Sequence, residues 1–185
     1  MGESRNIGAL ERLQSSGTQV LVAGSTFSLP DAALAHQLEA RGIRFLNRYL
    51  DHVEEMYQMS DLYVFPTVSK GACIGQPLSV LEAMACNLPV VSTRFGGLPD
   101  LFPSEGGGLL YADSPSEIAT KSEYIRNNLH SIHLRTRQMV EPYSWDRSRE
   151  AVRRLLKNRR AVSVSVAGGR NGVSQPGGSR NESDK

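Results

Sequence analysis

Between Gly75 and Thr93 the chain gathers residue types that can grip an anion. A short glycine loop, Gly75-Gln76-Pro77, opens the run Leu78-Ser79-Val80-Leu81-Glu82-Ala83-Met84-Ala85-Cys86, and Leu88-Pro89-Val90-Val91-Ser92-Thr93 follows. The first turn of a helix leaves backbone N–H groups without intrahelical acceptors and carries the positive end of the helix dipole. The segment formed by Gly75, Gln76, Pro77, Leu78 and Ser79 therefore suits a phosphate or pyrophosphate. Gly75 lets the backbone approach the anion closely, and Pro77 suits a helix start. Glu82 falls about one turn further in, where a carboxylate can accept hydrogen bonds from the two hydroxyls of a ribose attached to that diphosphate. The same residues read equally well as an ordinary helix N-terminus with a solvated carboxylate. In either case Leu78, Leu81, Ala85 and Leu88 form an apolar stripe expected in the core.

The elements that must position this segment alternate along the chain. Ile7, Leu10 and Leu13 recur at helical spacing and end at Gly17, which predicts a helix over residues 5–16. Strands are predicted at Thr18–Ala23, Ile43–Leu46, Asp61–Phe65, Pro89–Thr93 and Gly108–Tyr111. Helices are expected after Pro30-Asp31, after Asp51 as a cap, over Leu78–Asn87, after Ser114 or Ser116, and from Ser144-Trp145-Asp146. Strands alternating with helices imply βαβ units, hence a doubly wound α/β domain with a parallel sheet covered on both faces. That domain is expected to occupy residues 1–158. Residues 159–185, rich in Arg, Ser, Gly and Asn, are expected to form a disordered basic tail, although Val162-Ser163-Val164-Ser165-Val166 alternates like a strand.

Charge and composition narrow the function classes. From Arg147 onward ten basic and three acidic residues give +7, which leaves −5 on the preceding 146 residues of a chain with net charge +2. No nucleic-acid motif accompanies the basic run, so a solvated basic helix is favoured over a nucleic-acid binder. Val152, Leu155 and Leu156 among Arg149, Arg153, Arg154, Lys157, Arg159 and Arg160 would also allow weak contact with an anionic membrane. No apolar run approaches the ~20 residues of a membrane-spanning helix, and the N-terminal residues carry no secretory pattern. The expected location is cytoplasmic, with peripheral contact at the inner face of a membrane as the alternative. Cys73 and Cys86 form no disulfide framework, and Cys86 reads as a buried structural thiol. His130 and His133, three apart on an expected helix, lack further ligands and read as a surface pair, so no metal site is expected.

The stretch from Asp61 to Thr93, with Leu-Glu-Ala-Met-Ala-Cys, Pro-Val-Val-Ser-Thr and the Phe95-Gly96-Gly97-Leu98-Pro99 turn, resembles the C-terminal domain of retaining glycosyltransferases of group 1, or family 4. A weaker likeness runs from about residue 5 to 158. The resemblance implies a Rossmann-like half of the two-domain GT-B architecture, which binds the donor. It implies transfer of a sugar from a nucleoside diphosphate sugar to an acceptor, with retained configuration and no nucleotide-binding metal or other cofactor. By the same resemblance Glu82 holds the donor ribose, Gly75 to Ser79 receive the diphosphate or sugar, and Gly96 and Gly97 serve the structure.

Three departures accompany the likeness. Ile74 stands eight positions before Glu82, where the family places its first Glu, and Lys70 is the one charged residue between Thr67 and Ile74. Lys70 is a candidate diphosphate contact, with a solvated loop lysine as the plainer reading. The family's first strand, with its basic turn, has no counterpart. In the strand order 3-2-1-4-5-6 that strand would lie between Thr18–Ala23 and Asp61–Phe65, so these two should either meet or keep open edges. The acceptor-binding domain also has no counterpart, and it would have to be supplied in cis or in trans. No catalytic residue is assigned. The alternative function is a non-catalytic or degenerate nucleotide-sugar-binding module.

Overall fold

Residue Ser92, fully buried at the end of the most enclosed strand, marks the centre of an α/β fold. The computed structural model describes residues 3–24, 32–68 and 75–159. Lys70, Cys73, Ile74 and the tail beyond Arg159 lie outside the described residues, as does the Pro30-Asp31 helix start. The strands are β1 (Leu21–Ala23), β2 (Arg44–Leu46), β3 (Tyr63–Phe65), β4 (Val90–Ser92) and β5 (Leu109–Tyr111). The helices are α1 (Glu3–Ser15), α2 (Ala32–Glu39), α3 (Val53–Gln58), α4 (Leu78–Ala85), α5 (Leu98–Leu101), α6 (Pro115–Asn128), α7 (Thr136–Val140) and α8 (Trp145–Arg159), with a 3₁₀ turn at Glu141–Tyr143. The chain divides into two compact units, the first ending at Ser148 and the second beginning at Arg149.

All five strands pair in parallel, but in two sheets. One has the order β1-β2 and the other β3-β4-β5. Leu21 lies opposite Arg44, Tyr63 opposite Val90, and Val90 opposite Leu109. Of the two outcomes expected where a central strand has no counterpart, open edges are the one realised: β1 does not meet β3. The consequence is visible in exposure. All three residues of β4 are buried, whereas Leu21 of β1 is 39% exposed.

The three-stranded sheet is covered on both faces, as its alternating side chains require. Val90, Phe65, Leu109 and Tyr111 face a cluster with Val80, Ala83 and Met84 of α4. Val91 faces the opposite cluster with Ile118 and Ile125 of α6 and Ala9 of α1. Helix α1 also sends Ile7 and Leu13 to a third cluster with Val20, Leu38 and Ile43, so it fastens the small sheet to the large one. The Arg126 guanidinium strengthens that join by donating to the Ser16 carbonyl (2.9 Å) and the Thr18 hydroxyl (2.8 Å).

Local sequence sets most helix ends, with several corrections. Ser114 caps α6, its hydroxyl accepting from the Glu117 amide at 3.2 Å, and Pro115 occupies the first turn. Asp51 does not cap α3: the helix begins at Val53 behind His52, which makes no side-chain cap bond. Helix α4 stops two residues earlier than expected. Asn87 adopts φ +60°, the Leu88 amide bonds back to the Ala83 carbonyl, and the Asn87 amide to that of Met84. That paired pattern closes a helix with a left-handed residue, a role asparagine tolerates. His130 and His133 lie beyond the end of α6, both exposed and neither on a helix. Cys86 is free and half-buried, and burial, foremost, pushes its thiol pKa up.

The buried face of α4 also differs from the expected stripe. Leu88 is buried and Leu81 packs partly buried on the core as expected, but Leu78 is 52% exposed, Ala85 lies on the surface, and Val80, Ala83 and Met84 are enclosed in their place. Ser79 and Glu82, three residues apart, mark the outer flank of α4, and Val80 and Met84 on the opposite side are the residues the strands beneath it bury.

Candidate functional site

In an open parallel sheet the ligand crevice lies beyond the carboxyl ends of the strands. Here the segments leaving β3 and β4 are stitched together at that edge. The Thr93 amide donates to the Phe65 carbonyl at 3.1 Å, and the Thr93 hydroxyl donates to the Thr67 carbonyl. Further along, the Gly97 amide donates to the Gly75 carbonyl at 2.9 Å.

The two glycines of that second turn have different duties. Gly96 holds φ +54°, and a Cβ placed on it would meet the Gly75 carbonyl oxygen at 1.8 Å. A Cβ on Gly97 would come within 2.7 Å of the Gln76 side-chain oxygen. The Gly75-Gln76 loop therefore rests directly on the Gly96-Gly97 backbone. The structural role expected of these glycines is specific: they seat the loop that opens α4.

That loop places the candidate ligand groups as follows. Pro77 is buried and stands at the N-cap of α4, one position ahead of the helix. Leu78 and Ser79 follow as its first residues, and the amides of a first turn lack intrahelical acceptors. The next amide, that of Val80, bonds to the Pro77 carbonyl at 3.2 Å. Gln76 is half-buried, and its side-chain Nε2 is enclosed without a hydrogen-bond partner. A buried donor left unmatched costs about 1–3 kcal/mol, so this nitrogen is suited to an incoming acceptor.

Glu82 lies four residues after Leu78, hence on the same flank of α4 as Leu78 and Ser79. The residue is exposed, but its carboxylate is held: Oε2 accepts a hydrogen bond from the Tyr57 hydroxyl at 3.1 Å. Tyr57 belongs to α3, is 8% exposed, and stands edge-on to Tyr63 with ring centroids 5.6 Å apart. Burial, and then the neighbouring Tyr63 and Glu82, raise the phenol pKa well above its ordinary range, so the hydroxyl stays protonated and donates. The sequence offers no signal for Tyr57 as part of this site, because α3 and α4 meet only in the folded chain.

Arg94, which no motif or spacing singles out, follows β4 at the same sheet edge. Its guanidinium sits 4.5 Å from the centroid of the Tyr111 ring, and the Glu105 carboxylate lies in its field. Glu105 in turn takes the Lys121 ammonium at 2.9 Å and the Tyr111 amide at 2.9 Å, so this group of charges is engaged in holding β5. Lys70 lies outside the described residues. A separate concavity is lined by Gln138, Glu141, Pro142 and Arg147, but Glu141 and Arg147 pair across 3.1 Å and none of the α4 residues reaches it. Among the described residues no group of three His, Cys, Asp or Glu side chains is arranged to hold a metal ion.

The amino-acid sequence around this helix mouth matches a known family. Residues 6–128 match the model of the glycosyl transferases group 1. The chain belongs to this family. It is 32% identical over 102 residues to the sulfoquinovosyl transferase SQD2 of Arabidopsis thaliana, an overlap of 51% of this chain and 19% of that protein. The chain thus spans about a fifth of that relative's length. The fold is shared with two solved structures. One is the GtfA/B complex (TM-score 0.63, 20% identity, 88% of this chain and 35% of that one). The other is the pneumococcal O-GlcNAc transferase GtfA with UDP and GlcNAc (TM-score 0.57, 16% identity, 86% and 33%). The group 1 domain described here is therefore a Rossmann-like α/β unit of the kind found in GT-B glycosyltransferases. Among the described residues no helix is long and apolar enough to cross a membrane.

Proposed function

We propose that this chain is the donor-binding half of a retaining glycosyltransferase. It would transfer a sugar from a nucleoside diphosphate sugar to an acceptor once an acceptor-binding domain completes the cleft. The observation that carries the reading is the seating of the Gly75-Gln76 loop on Gly96-Gly97, which fixes the mouth of α4 one turn from Glu82. In this reading the amides of Leu78 and Ser79, the open backbone at Gly75 and the α4 dipole meet the diphosphate charge. The Gln76 Nε2 donates to a diphosphate or sugar oxygen, and Pro77 sets the entry angle of the helix. Glu82 accepts from the ribose hydroxyls. Lys70, from the loop after β3, would add a cation to the leaving diphosphate, and stabilising that developing charge supplies much of the rate in such transfers. No cofactor besides the donor itself enters this reading.

Titration calorimetry of the chain with UDP- and GDP-sugars tests it. Measurable binding that is lost in Glu82→Ala supports the donor site. Absence of binding to every nucleotide sugar tried would instead favour a degenerate module, the reading to which Ile74 points, since isoleucine offers no acceptor where the group 1 pattern has its first Glu.

The assignment of residues 1–158 to the donor domain and 159–185 to a basic tail belongs to the same proposal, as does a cytoplasmic location. Contact with the inner face of a membrane would use α8, where Trp145, Val152, Leu155 and Leu156 are exposed among basic residues. Such a helix needs anionic lipid to bind. Sedimentation with vesicles at low and high salt decides this, and pelleting that ignores anionic lipid rejects it.

A further inference from the structure

We propose that Tyr57 is the positioning residue of the donor site, its hydroxyl aiming the Glu82 carboxylate so that the second oxygen is presented to the ribose. The inference rests on the donor reading above and adds a residue that the group 1 motif does not contain.

An exposed glutamate has considerable freedom to lose. Three side-chain torsions give Glu82 many staggered rotamers, and a ligand that selects one must offset the entropy of the rest. The Tyr57 hydroxyl removes much of that freedom beforehand by holding Oε2 at 3.1 Å. The anchor itself cannot wander. Tyr57 is 8% exposed, its ring shares a cluster with Val80 and Met84 of α4, and it meets Tyr63 of β3 edge-on. The hydroxyl thus sits on a ring clamped between the helix that carries Glu82 and the strand that leads to the glycine loop. Burial keeps the phenol protonated, so its hydroxyl donates to Glu82. Oε1 is the oxygen left for two vicinal hydroxyls. Preorganisation of this kind shows itself as affinity and as selectivity for the group being recognised.

A purely structural tyrosine would affect every ligand alike, which makes ribose selectivity the decisive readout. The whole chain is titrated with UDP, GDP and their 2′-deoxy counterparts, as wild type, Tyr57→Phe, Glu82→Gln and the double variant. Phenylalanine keeps the buried ring, and circular dichroism with a thermal melt verifies that each variant is folded. The expected result is that Tyr57→Phe weakens the ribonucleotide by roughly 2- to 12-fold, the usual range for one net hydrogen bond. The 2′-deoxynucleotide is weakened less, so the preference for ribose shrinks. In the Glu82→Gln background Tyr57→Phe should change that preference no further, because both residues act on the same hydroxyls. Equal weakening of ribo- and deoxyribonucleotides by Tyr57→Phe, or an undiminished effect in the Glu82→Gln background, would overturn the inference while leaving the donor site standing. Wild-type chain that binds none of the four probes would sink the donor reading, and this inference with it.

Discussion

Gly97 donates its amide to the carbonyl of Gly75 at 2.9 Å, so the turn after β4 carries the loop that opens α4. One hydrogen bond between two residues without side chains decides where the helix mouth points. It also explains why two consecutive glycines stand there: Gly96 takes a positive φ against the Gly75 carbonyl, and Gly97 leaves room for Gln76.

That contact makes the two glycines unequal. Gly96→Ala adds a Cβ 1.8 Å from a backbone oxygen and forces alanine into φ +54°. It should destabilise the domain by about 1–3 kcal/mol and displace the Gly75 loop. Gly97→Ala meets only the end of the flexible Gln76 side chain and should cost less. Urea melts of both variants check the order, and a Gly97→Ala more damaging than Gly96→Ala would refute it.

Glu82→Ala should separate binding from folding. The carboxylate is exposed, but its loss strands the Tyr57 hydroxyl, so a decrease of about 1 kcal/mol in stability is expected. Nucleotide-sugar binding should disappear in the same variant. Retained binding, measured calorimetrically, removes Glu82 from the site.

Stability should fall at alkaline pH. Burial raises the phenol pKa of both Tyr57 and Tyr111 above the ordinary value. In the unfolded chain these phenols ionise near about pH 10, while in the folded chain they still hold their protons. Above that pH the unfolded state binds fewer protons, so stability drops as pH rises, and the contribution is intact below about pH 9. Urea midpoints between about pH 8 and 11 should show the decline, and Tyr57→Phe should make it shallower. An identical slope in the variant would exclude Tyr57 as a source.

The split sheet should lower the overall stability. β1 has β2 as its strand partner and β3 has β4, with no strand joining β1 to β3 among the described residues. With its edge open, β1 stays partly exposed, Leu21 by 39%, so the small sheet gains less from apolar burial against a total stability of ~5–15 kcal/mol. The isolated chain should therefore melt broadly and at low temperature, and sharpen when another polypeptide supplies a parallel strand. A sharp two-state melt above the ordinary mesophile range of about 45–65 °C would contradict this.

Local chemistry made much of this legible before any coordinates. Hydrophobic alternation, the glycine and proline punctuation and the Ser114 cap act within a few residues, so the order of strands and helices and the start of α4 at Leu78 followed from spacing alone. The short α5 and α7 left no such mark, because neither spans two turns of periodic pattern. The placement of Glu82 one turn into α4 was equally local.

What lay beyond the sequence depends on how distant segments return to one another. Ser79 and Glu82 mark only the outer flank of α4, and contact with the sheet decided that Val80, Ala83 and Met84 are buried while Leu78 and Ala85 stay at the surface. Tyr57 finds Glu82 only because α3 crosses α4, and Gly97 finds Gly75 only because β3 and β4 lie side by side. The residue types of the site were written in the chain. Their mutual aim was decided by tertiary packing, because hydrogen-bond direction is a property of two backbones at once.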